Sequence, residues 1–217
     1  LGSLGGPGLG IAALDADGDG RPEVVAWSSD RVVVLFGKTP AIVAGVPGPV
    51  AVGDFNNDGL PDLCAGARLV VNQKGTLRAW EKPVHAGEFH RCAWVDYDHD
   101  YDLDLLLLGA AQALVRNNGD GSWTDVTPSF PFVTGSRALD AAVVELHEDN
   151  GFDIVVAYEG RPAVVYRDRK MGRYEAVPLG FPLAAPLQVA DLNQDGFLEL
   201  VAGDAVAYNQ RGSLLQQ

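Results

Sequence analysis

A stretch of nine residues, 54–62, carries the clearest chemistry of the chain. Side-chain oxygens stand at positions 1, 3, 5 and 9 of this stretch, and a glycine stands at position 6. Positions 1, 3 and 5 can all point inward only if the backbone curls around a point, and glycine permits the positive φ that such a curl requires. Four oxygen ligands and a backbone carbonyl near position 7 suit a calcium ion. The layout is related to the first half of an EF-hand loop, although its last acid comes at position 9.

Four further stretches repeat this layout, starting at residues 15, 96, 145 and 191. Successive starts lie 39, 42, 49 and 46 residues apart, and a period near forty that runs through the whole chain indicates a repeat architecture. We expect about four or five calcium ions. The expected ligands, with the position-7 residue contributing its carbonyl, are Asp15, Asp17, Asp19, Arg21 and Glu23 in loop one; Asp54, Asn56, Asp58, Leu60 and Asp62 in loop two; Asp96, Asp98, Asp100, Asp102 and Asp104 in loop three; and Asp191, Asn193, Asp195, Phe197 and Glu199 in loop five.

Loops three and four depart from the pattern. Tyr101 replaces the glycine of loop three, and a left-handed tyrosine costs about 1–2 kcal/mol, so this loop could curl differently. Loop four offers the doubtful ligands Glu145, His147, Asp149 and Asp153. Glutamate is longer than aspartate, and imidazole is a soft ligand for calcium. We expect internal hydrogen bonds to hold loop four, with a calcium ion, or zinc on His147, as the alternatives.

The net charge of −13 reflects these loops rather than a general acidic surface. The five stretches hold 19 of the 29 Asp and Glu residues, so 10 acids face 16 Lys and Arg elsewhere and the remainder is near +6. The negative charge therefore comes from the clustered candidate ligands of the loops, and it argues against nucleic acid as a partner.

Short apolar runs bounded by Gly, Pro, Asn or Asp surround every loop, which is typical of antiparallel strands. Each repeat contains four such runs, and small sheets of this kind bury both faces only by stacking around an axis. The sequence predicts an all-β protein, a β-propeller of about five four-stranded blades, with the loops between strands one and two. A flexible lead-in, 1–8, precedes a single domain, 9–217, with repeats at about 9–47, 48–87, 88–134, 135–183 and 184–217. A closed five-bladed ring is the first expectation, and part of a six- or seven-bladed ring is the alternative.

The stretch 52–63, a loop followed by an apolar residue, resembles the FG-GAP/VCBS repeats of integrin α-subunit propellers and secreted bacterial proteins, and the stretch 115–127 resembles the repeat ending of UnbV-type relatives. This resemblance covers about residues 9–217. It implies a calcium-stabilised propeller, usually extracellular, that serves adhesion or ligand binding and is sometimes fused to a catalytic domain. The Phe-Gly-Gly-Ala-Pro signature of the integrin type is absent, so no integrin-like partner is implied.

Arginines mark the face opposite the loops. Three begin the third strand of a repeat and two lie in connections between repeats; they are Arg31, Arg68, Arg161, Arg91 and Arg137. Arginine suits carboxylate or sulfate groups, so an anionic glycan or acidic peptide is one candidate ligand, and ordinary solvated arginines are the alternative.

Other residue types add little chemistry. The two cysteines, Cys64 and Cys92, lie in apolar runs and are expected as buried free thiols, with a disulfide between repeats as the alternative. The tryptophans Trp27, Trp80, Trp94 and Trp123 are expected to pack between sheets rather than to stack on sugars.

The sequence favours a binding or adhesion module over an enzyme. No nucleophile or phosphate-binding motif occurs, and the carboxylate pairs lie in the loops. A structural accessory domain of a larger secreted protein is the alternative, and a polysaccharide-cleaving enzyme is less favoured. We expect a monomer at the cell surface, outside the cell or in the periplasm, with a glycan or protein ligand and no insertion into the membrane, since no apolar run approaches about 20 residues.

Overall fold

Twenty strands form five four-stranded sheets in the computed structural model, which describes residues 10–36 and 39–216. The predicted lead-in, 1–8, and a turn predicted at residues 37–38 lie outside the described residues. The strands are β1 (Gly10–Leu14), β2 (Glu23–Trp27), β3 (Arg31–Phe36) and β4 (Thr39–Ala44) in blade one; β5 (Ala51–Gly53), β6 (Asp62–Ala65), β7 (Arg68–Gln73) and β8 (Thr76–Ala79) in blade two; β9 (Phe89–Val95), β10 (Asp104–Gly109), β11 (Gln112–Asn117) and β12 (Trp123–Asp125) in blade three; β13 (Ala138–Val144), β14 (Asp153–Tyr158), β15 (Val164–Asp168) and β16 (Tyr174–Pro178) in blade four; and β17 (Leu187–Ala190), β18 (Glu199–Ala202), β19 (Ala205–Gln210) and β20 (Ser213–Gln216) in blade five.

Every blade is an antiparallel meander in which neighbouring strands pair in sequence order. The register of blade one, for example, pairs Ile11 with Ala26, Ala26 with Val33, and Val33 with Ile42. The predicted fold class is therefore confirmed: the protein is all-β and built from five four-stranded blades. A single 3-10 turn, Thr127–Ser129, interrupts the strands, and nothing helical in the described ranges is long and apolar enough to cross a membrane.

The core lies between the blades rather than inside them. The middle strands β10 and β14 are buried along their whole length because each of their two faces packs against a different neighbouring blade. Separate hydrophobic clusters fill the spaces between blades one and two, two and three, three and four, and four and five. The four tryptophans lie in two of these clusters, as expected, and Phe55 packs among three of them with ring centroids 5.6–5.8 Å apart.

Packing runs as an arc and not as the closed five-bladed ring that was our first expectation. Across residues 10–36 and 39–216, no hydrophobic cluster joins blade five to blade one. On the outer face of blade one, the edge-strand residues Ile11 and Ile42 are exposed at 72% and 48%, while Ala26 and Val33 of the middle strands are buried. The outer face of blade five leaves Leu215 exposed at 48%. These faces are the equivalents of those that the inner blades bury, so this packing matches the alternative of part of a larger ring.

A disulfide bond links Cys64 on β6 to Cys92 on β9 and so joins blades two and three. The expectation of two free thiols is therefore wrong. Both residues belong to the cluster between these blades, where the two strands bring the side chains together from positions 28 residues apart in the chain. Spacing alone does not reveal which strand faces lie opposite each other, so the sequence left this pairing open.

Candidate metal centres

The five loops adjoin along one edge of the arc, which we call the loop rim. Each joins the first and second strands of its blade: loop one is 15–23, loop two 54–62, loop three 96–104, loop four 145–153 and loop five 191–199. Because all blades share one strand order, successive loops are neighbours, and Asn57 Nδ2 of loop two donates to Asp102 Oδ1 of loop three at 2.6 Å.

Loops one, two, three and five share one hydrogen-bond pattern. The aspartate at position 1 accepts from the backbone N–H groups of positions 5 and 6 at 2.8–3.2 Å. The side chain at position 5 accepts from the N–H of position 7 at 2.8–3.0 Å. These bonds wrap the backbone around the side-chain oxygens, which is the curl that the spacing predicts.

Two positions in every loop are left-handed. Position 6 has a φ of 84° at Gly20 and 72° at Tyr101, so loop three curls like the others and the different curl considered for it is wrong. Tyr101 is 88% exposed, which removes any steric obstacle except that of its own backbone. Position 4 is also left-handed, at Asn57, His99 and Gln194 among others, and the sequence analysis missed it because glycine is rare there.

The predicted ligands converge most closely in loops one and three. Asp15, Asp17 and Asp19 bring one carboxylate oxygen each within 4.8 Å of one another, and so do Asp96, Asp98 and Asp104. In loops two and five an asparagine holds position 3, and its amide Nδ2 donates to the position-5 aspartate at 3.0–3.1 Å. The structure therefore gathers three carboxylates in loop one, at positions 1, 3 and 5, and three in loop three, at positions 1, 3 and 9, and a divalent cation would relieve the repulsion among them.

The acid at position 9 is fully buried in loops two, three and five and partly buried at Glu23 in loop one. Asp62, Asp104 and Glu199 have no exposed surface. Asp104 accepts from the N–H groups of Tyr97 and Asn117 at 2.9 and 2.8 Å, which ties loop three to β11. Asp62 Oδ2 and Glu199 Oε1 are buried without a hydrogen-bond partner. A buried, unpartnered carboxylate oxygen is costly, so these two atoms fit a bound cation.

Burial also shifts two of these carboxyl groups. Burial is the largest cause that raises the pKa of Asp62 to about 7; the backbone hydrogen bond from Asn72 opposes it, and the charges of Asp58 and Asp54 add to it. Burial likewise raises the pKa of Asp104 to about 8 against the hydrogen bonds from Tyr97 and Asn117. Without a counter-ion, these carboxylates resist ionisation.

Arg116 on β11 is a functional residue that the sequence analysis missed. Its Nη2 donates to Asp100 Oδ2 at 2.9 Å, and its Nε lies 2.7 Å from Asp98 Oδ2 without pointing at it. The guanidinium thus partly neutralises positions 3 and 5 of loop three. It competes with a cation for the same oxygens, so loop three is expected to bind a cation less tightly than its five acids suggest.

Loop four is held together differently. His147, at position 3, turns its Nδ1 to the buried Asp153 Oδ2 at 2.6 Å, and the Leu146 N–H donates to the same oxygen at 3.3 Å. Glu145 accepts from the Asn150 N–H at 2.6 Å. Among the described residues, Glu145, His147, Asp149 and Asp153 do not bring three ligand atoms together. The histidine fills the place that an oxygen ligand takes in the other loops.

Buried asparagines link loops one, two and four to the next blade, and we call these hydrogen bonds staples. Asn72 Nδ2 donates to the Ala16 carbonyl of loop one at 2.8 Å, Asn117 to the Phe55 carbonyl of loop two at 2.7 Å, and Asn209 to the Leu146 carbonyl of loop four at 3.2 Å. All three carbonyls belong to position 2 of the preceding loop. In blade four Asp168 takes the place of the asparagine and accepts from His99 of loop three at 2.6 Å. The staples fix the loops relative to one another.

The arginines predicted on the face opposite the loop rim, which we call the opposite face, separate into two groups. Arg31 is ion-paired with Asp30 at 2.7 Å, and Arg91 with the buried Asp140 at 2.6 Å. Arg161 lies over the ring of Tyr158, 5.7 Å from its centroid. These three are engaged within the protein.

Arg68 and Arg137 line one depression of about 530 Å³ on the opposite face. Both are exposed, and neither forms a salt bridge within the described part of the chain. Phe89 and His90 form a wall of this depression and also border a second one of about 520 Å³. Glu88 is the single acidic side chain among the described residues of its lining. The structure therefore brings together two of the five predicted arginines beside an aromatic ring.

Comparisons with known proteins identify the fold and no family. No protein-family model matches the chain, and no curated protein matches its sequence. Among solved structures, an Agrocybe aegerita lectin that specifically recognises non-reducing terminal N-acetylglucosamine is 20% identical, with a TM-score of 0.62 over 96% of this chain and 65% of the lectin chain. BBS1N in complex with ARL6DN is 18% identical, with a TM-score of 0.61 over 95% of this chain and 67% of that chain. The chain thus spans about two thirds of the length of both, and the likeness concerns the fold alone.

Proposed function

We propose that this protein is a calcium-stabilised β-propeller that binds an acidic glycan on its opposite face. The observation that carries the proposal is the depression in which Arg68 and Arg137 stand without an ion-pair partner among the described residues, beside the ring of Phe89. Two guanidinium groups recognise carboxylate or sulfate groups, and an aromatic ring packs on the apolar face of a sugar. The similar lectin recognises terminal N-acetylglucosamine, which supports a sugar as the ligand.

Calcium is proposed to stabilise the propeller rather than to contact the ligand. Loops one, two, three and five would hold it through the oxygens of positions 1, 3, 5 and 9, including the unpartnered Asp62 Oδ2 and Glu199 Oε1. The ion would supply positive charge to carboxylates that otherwise repel one another. The depression that contains Arg68 lies on the opposite face, away from the loop rim, so calcium binding and glycan binding are separate in space. Loop four is proposed to stay without an ion, because His147 already pairs with Asp153.

An oxidising, calcium-rich location is proposed for this propeller: the cell surface, the extracellular space or the periplasm. The buried disulfide between Cys64 and Cys92 is of the kind that persists in secreted proteins. Weak calcium sites of this type are filled where calcium is millimolar. The described repeats are proposed to act as one monomeric unit without catalytic activity, because the clustered carboxylates of the described residues belong to the loops.

A glycan array in millimolar calcium tests the ligand. We expect binding to glycans that carry uronic acids or sulfate, and we expect Arg68→Ala combined with Arg137→Ala to abolish it, since both guanidinium groups would be lost. The matched control is Arg78→Ala with Arg173→Ala, which removes the same charge from outside the depression. Retained binding in the first double variant, with an unchanged melting temperature, would overturn the proposed site.

A purely structural accessory role is the second candidate, and the exposed outer faces of blades one and five favour it. These apolar faces suit contact with further protein. An array on which wild-type protein binds no glycan, together with calcium-dependent stability, would favour this candidate over the binding module.

A further inference from the structure

A third depression, separate from the two on the opposite face, lies on the loop rim between blades four and five. It has a volume of about 550 Å³ and an opening to solvent. Its floor and walls include Pro178, Leu179 and Leu214. Its polar lining is Arg167, Arg211, His147 and Ser213. No acidic side chain is part of this lining in the described ranges. We call it the blade-four groove.

The two arginines of the groove are available for a ligand. Arg167 is part of β15, and its Nε is buried without a hydrogen-bond partner. Arg211 is exposed in the turn between β19 and β20. Within the described part of the chain neither arginine forms a salt bridge, and the acid across the ladder from Arg167, Glu175, binds Arg169 instead. A buried donor of this kind is expected to find an acceptor, and none of the surrounding groups provides one.

A comparison of blades three and four explains why Arg167 is unpaired. Arg116 of blade three and Arg167 of blade four occupy the same position, one residue before Asn117 and Asp168. Arg116 pairs with the acids at positions 3 and 5 of its own loop, Asp98 and Asp100. Position 3 of loop four is instead His147, which cannot accept a guanidinium charge. The replacement of the position-3 acid by histidine therefore removes one partner from Arg167, and the position-5 acid of loop four, Asp149, accepts from the Gly151 N–H at 3.0 Å and forms no salt bridge with Arg167 within the described residues.

His147 completes the polar lining. Its Nδ1 is held by Asp153, which directs the other edge of the ring toward Gly212, in the turn next to Arg211. A Cβ atom at Gly212 would lie 2.4 Å from His147 Cδ2, so the glycine permits this close approach. The Nε2 edge thus lies beside the turn that carries Arg211.

We propose that the blade-four groove binds a tetrahedral oxyanion, a phosphate or sulfate ester, on a sugar-sized body. Guanidinium groups bind such oxyanions with charge-assisted hydrogen bonds, and a tetrahedral group offers enough oxygens for both arginines. Pro178, Leu179 and Leu214 provide apolar contact for the body of the ligand, as is usual in small-molecule pockets. The site is independent of the calcium loops and of the depression on the opposite face.

Isothermal titration calorimetry at low ionic strength tests this site with the whole 217-residue chain. The probes are glucose 6-phosphate, glucose 6-sulfate, glucuronate and glucose. We expect both esters to bind, glucuronate to bind at least about tenfold more weakly, and glucose not to bind, because bidentate charged contacts dominate such sites. Comparison of the two esters identifies which oxyanion the groove prefers.

Three variants locate the binding. Arg167→Gln and Arg211→Gln are each expected to weaken binding of the preferred ester at least about tenfold, since each removes one charged contact. Arg173→Gln is the matched control: Arg173 is exposed, forms no salt bridge within the described residues and lies outside the groove lining, so we expect a change of less than about twofold.

The outcomes that would overturn the proposal are distinct. The proposal would be wrong if wild-type protein bound neither ester at concentrations up to about 10 mM, because a dissociation constant above this value is too weak for a specific site. It would also be wrong if glucose bound as tightly as the esters, or if Arg173→Gln caused an equal loss of ester binding, which would indicate general attraction to positive charge. Arg211 lies in an exposed turn, so its variant remains informative even if Arg167→Gln fails to fold.

Discussion

The five loops share one nine-residue pattern, but loop four satisfies its carboxylates in a different way from loops one, two, three and five. Among the four similar loops, three carboxylates converge in loops one and three, and a buried position-9 carboxylate oxygen has no partner in loops two and five, at Asp62 and Glu199. In loop four the imidazole of His147 satisfies Asp153 from within the loop. Blade four also replaces the stapling asparagine with Asp168 and leaves Arg167 without its acid. Two changes, histidine at position 3 of the loop and aspartate in place of the stapling asparagine, therefore accompany the different charge pairing of blade four.

Removal of calcium is expected to produce the largest effect. Four sites with dissociation constants of ~10⁻⁴–10⁻³ M each add about 0.4–1.4 kcal/mol in 1 mM calcium. We expect EDTA to lower the melting temperature by about 5–15 °C, measured by differential scanning calorimetry. Calorimetric titration should count four ions. Five ions would remove the distinction between loop four and the others, and an unchanged melting curve would contradict the metal sites altogether.

The staples provide the next largest effect. Asn117→Ala leaves the buried Phe55 carbonyl without its donor, and we expect a loss of about 1–3 kcal/mol in the free energy of unfolding. Chemical denaturation measures it. Asn118→Ala, one residue further along the exposed hairpin, is the control and should cost less than about 0.5 kcal/mol. Equal costs would mean that Asn117 acts only within its own hairpin.

The pH dependence of the calcium-free protein tests the buried acids. The folded-state pKa values of Asp62 and Asp104, about 7 and about 8, lie above their ordinary values, so the protonated form is favoured on folding. Stability from these groups is complete below about pH 4 and is lost as the pH rises through 7 and 8. In EDTA, the melting temperature should fall between pH 5 and pH 8.5. Calcium should remove this fall, and Asp62→Asn with Asp104→Asn should flatten it.

Conversion of loop four into a copy of the other loops is expected to add a calcium site. Glu145→Asp with His147→Asp restores the acids at positions 1 and 3, so the calorimetric count should rise from four ions to five. Without calcium the variant should lose about 1–3 kcal/mol, because Asp153 exchanges a hydrogen-bonded histidine for a like charge. A count that stays at four would show that another feature of blade four excludes the ion.

The smallest effect concerns Tyr101. Tyr101→Gly removes the cost of a left-handed side chain at little loss of packing, since the residue is 88% exposed, and we expect a gain of about 0.5–1 kcal/mol. Thermal melts measure it. Asn150→Gly, at the same position of loop four, should gain less because asparagine tolerates this conformation. A loss of stability in Tyr101→Gly would mean that the ring contributes more than its exposure suggests.

Much of the fold could be predicted from the sequence because the repeat carries it. The loop spacing located the blades, and the runs between the turns gave the strands. Contacts between blades were less accessible: Arg91 pairs with Asp140 and Cys64 with Cys92 across distances that no local pattern encodes. The staples did leave a signal, since Asn72 and Asn209 both follow their position-9 acids by ten residues. The left-handed residues at position 4 left none, because Asn57, His99 and Gln194 share no side-chain chemistry.

The staples also have a direction. Each reaches from the end of the third strand of one blade to the loop of the blade before it, as Asn72 does to Ala16 and Asn117 to Phe55. A ribosome releases the earlier blade first, and domains made in this order fold from the N-terminal end. In blades two, three and five the asparagine therefore meets a carbonyl of a blade that was synthesised before it, so this contact needs no later segment of the chain.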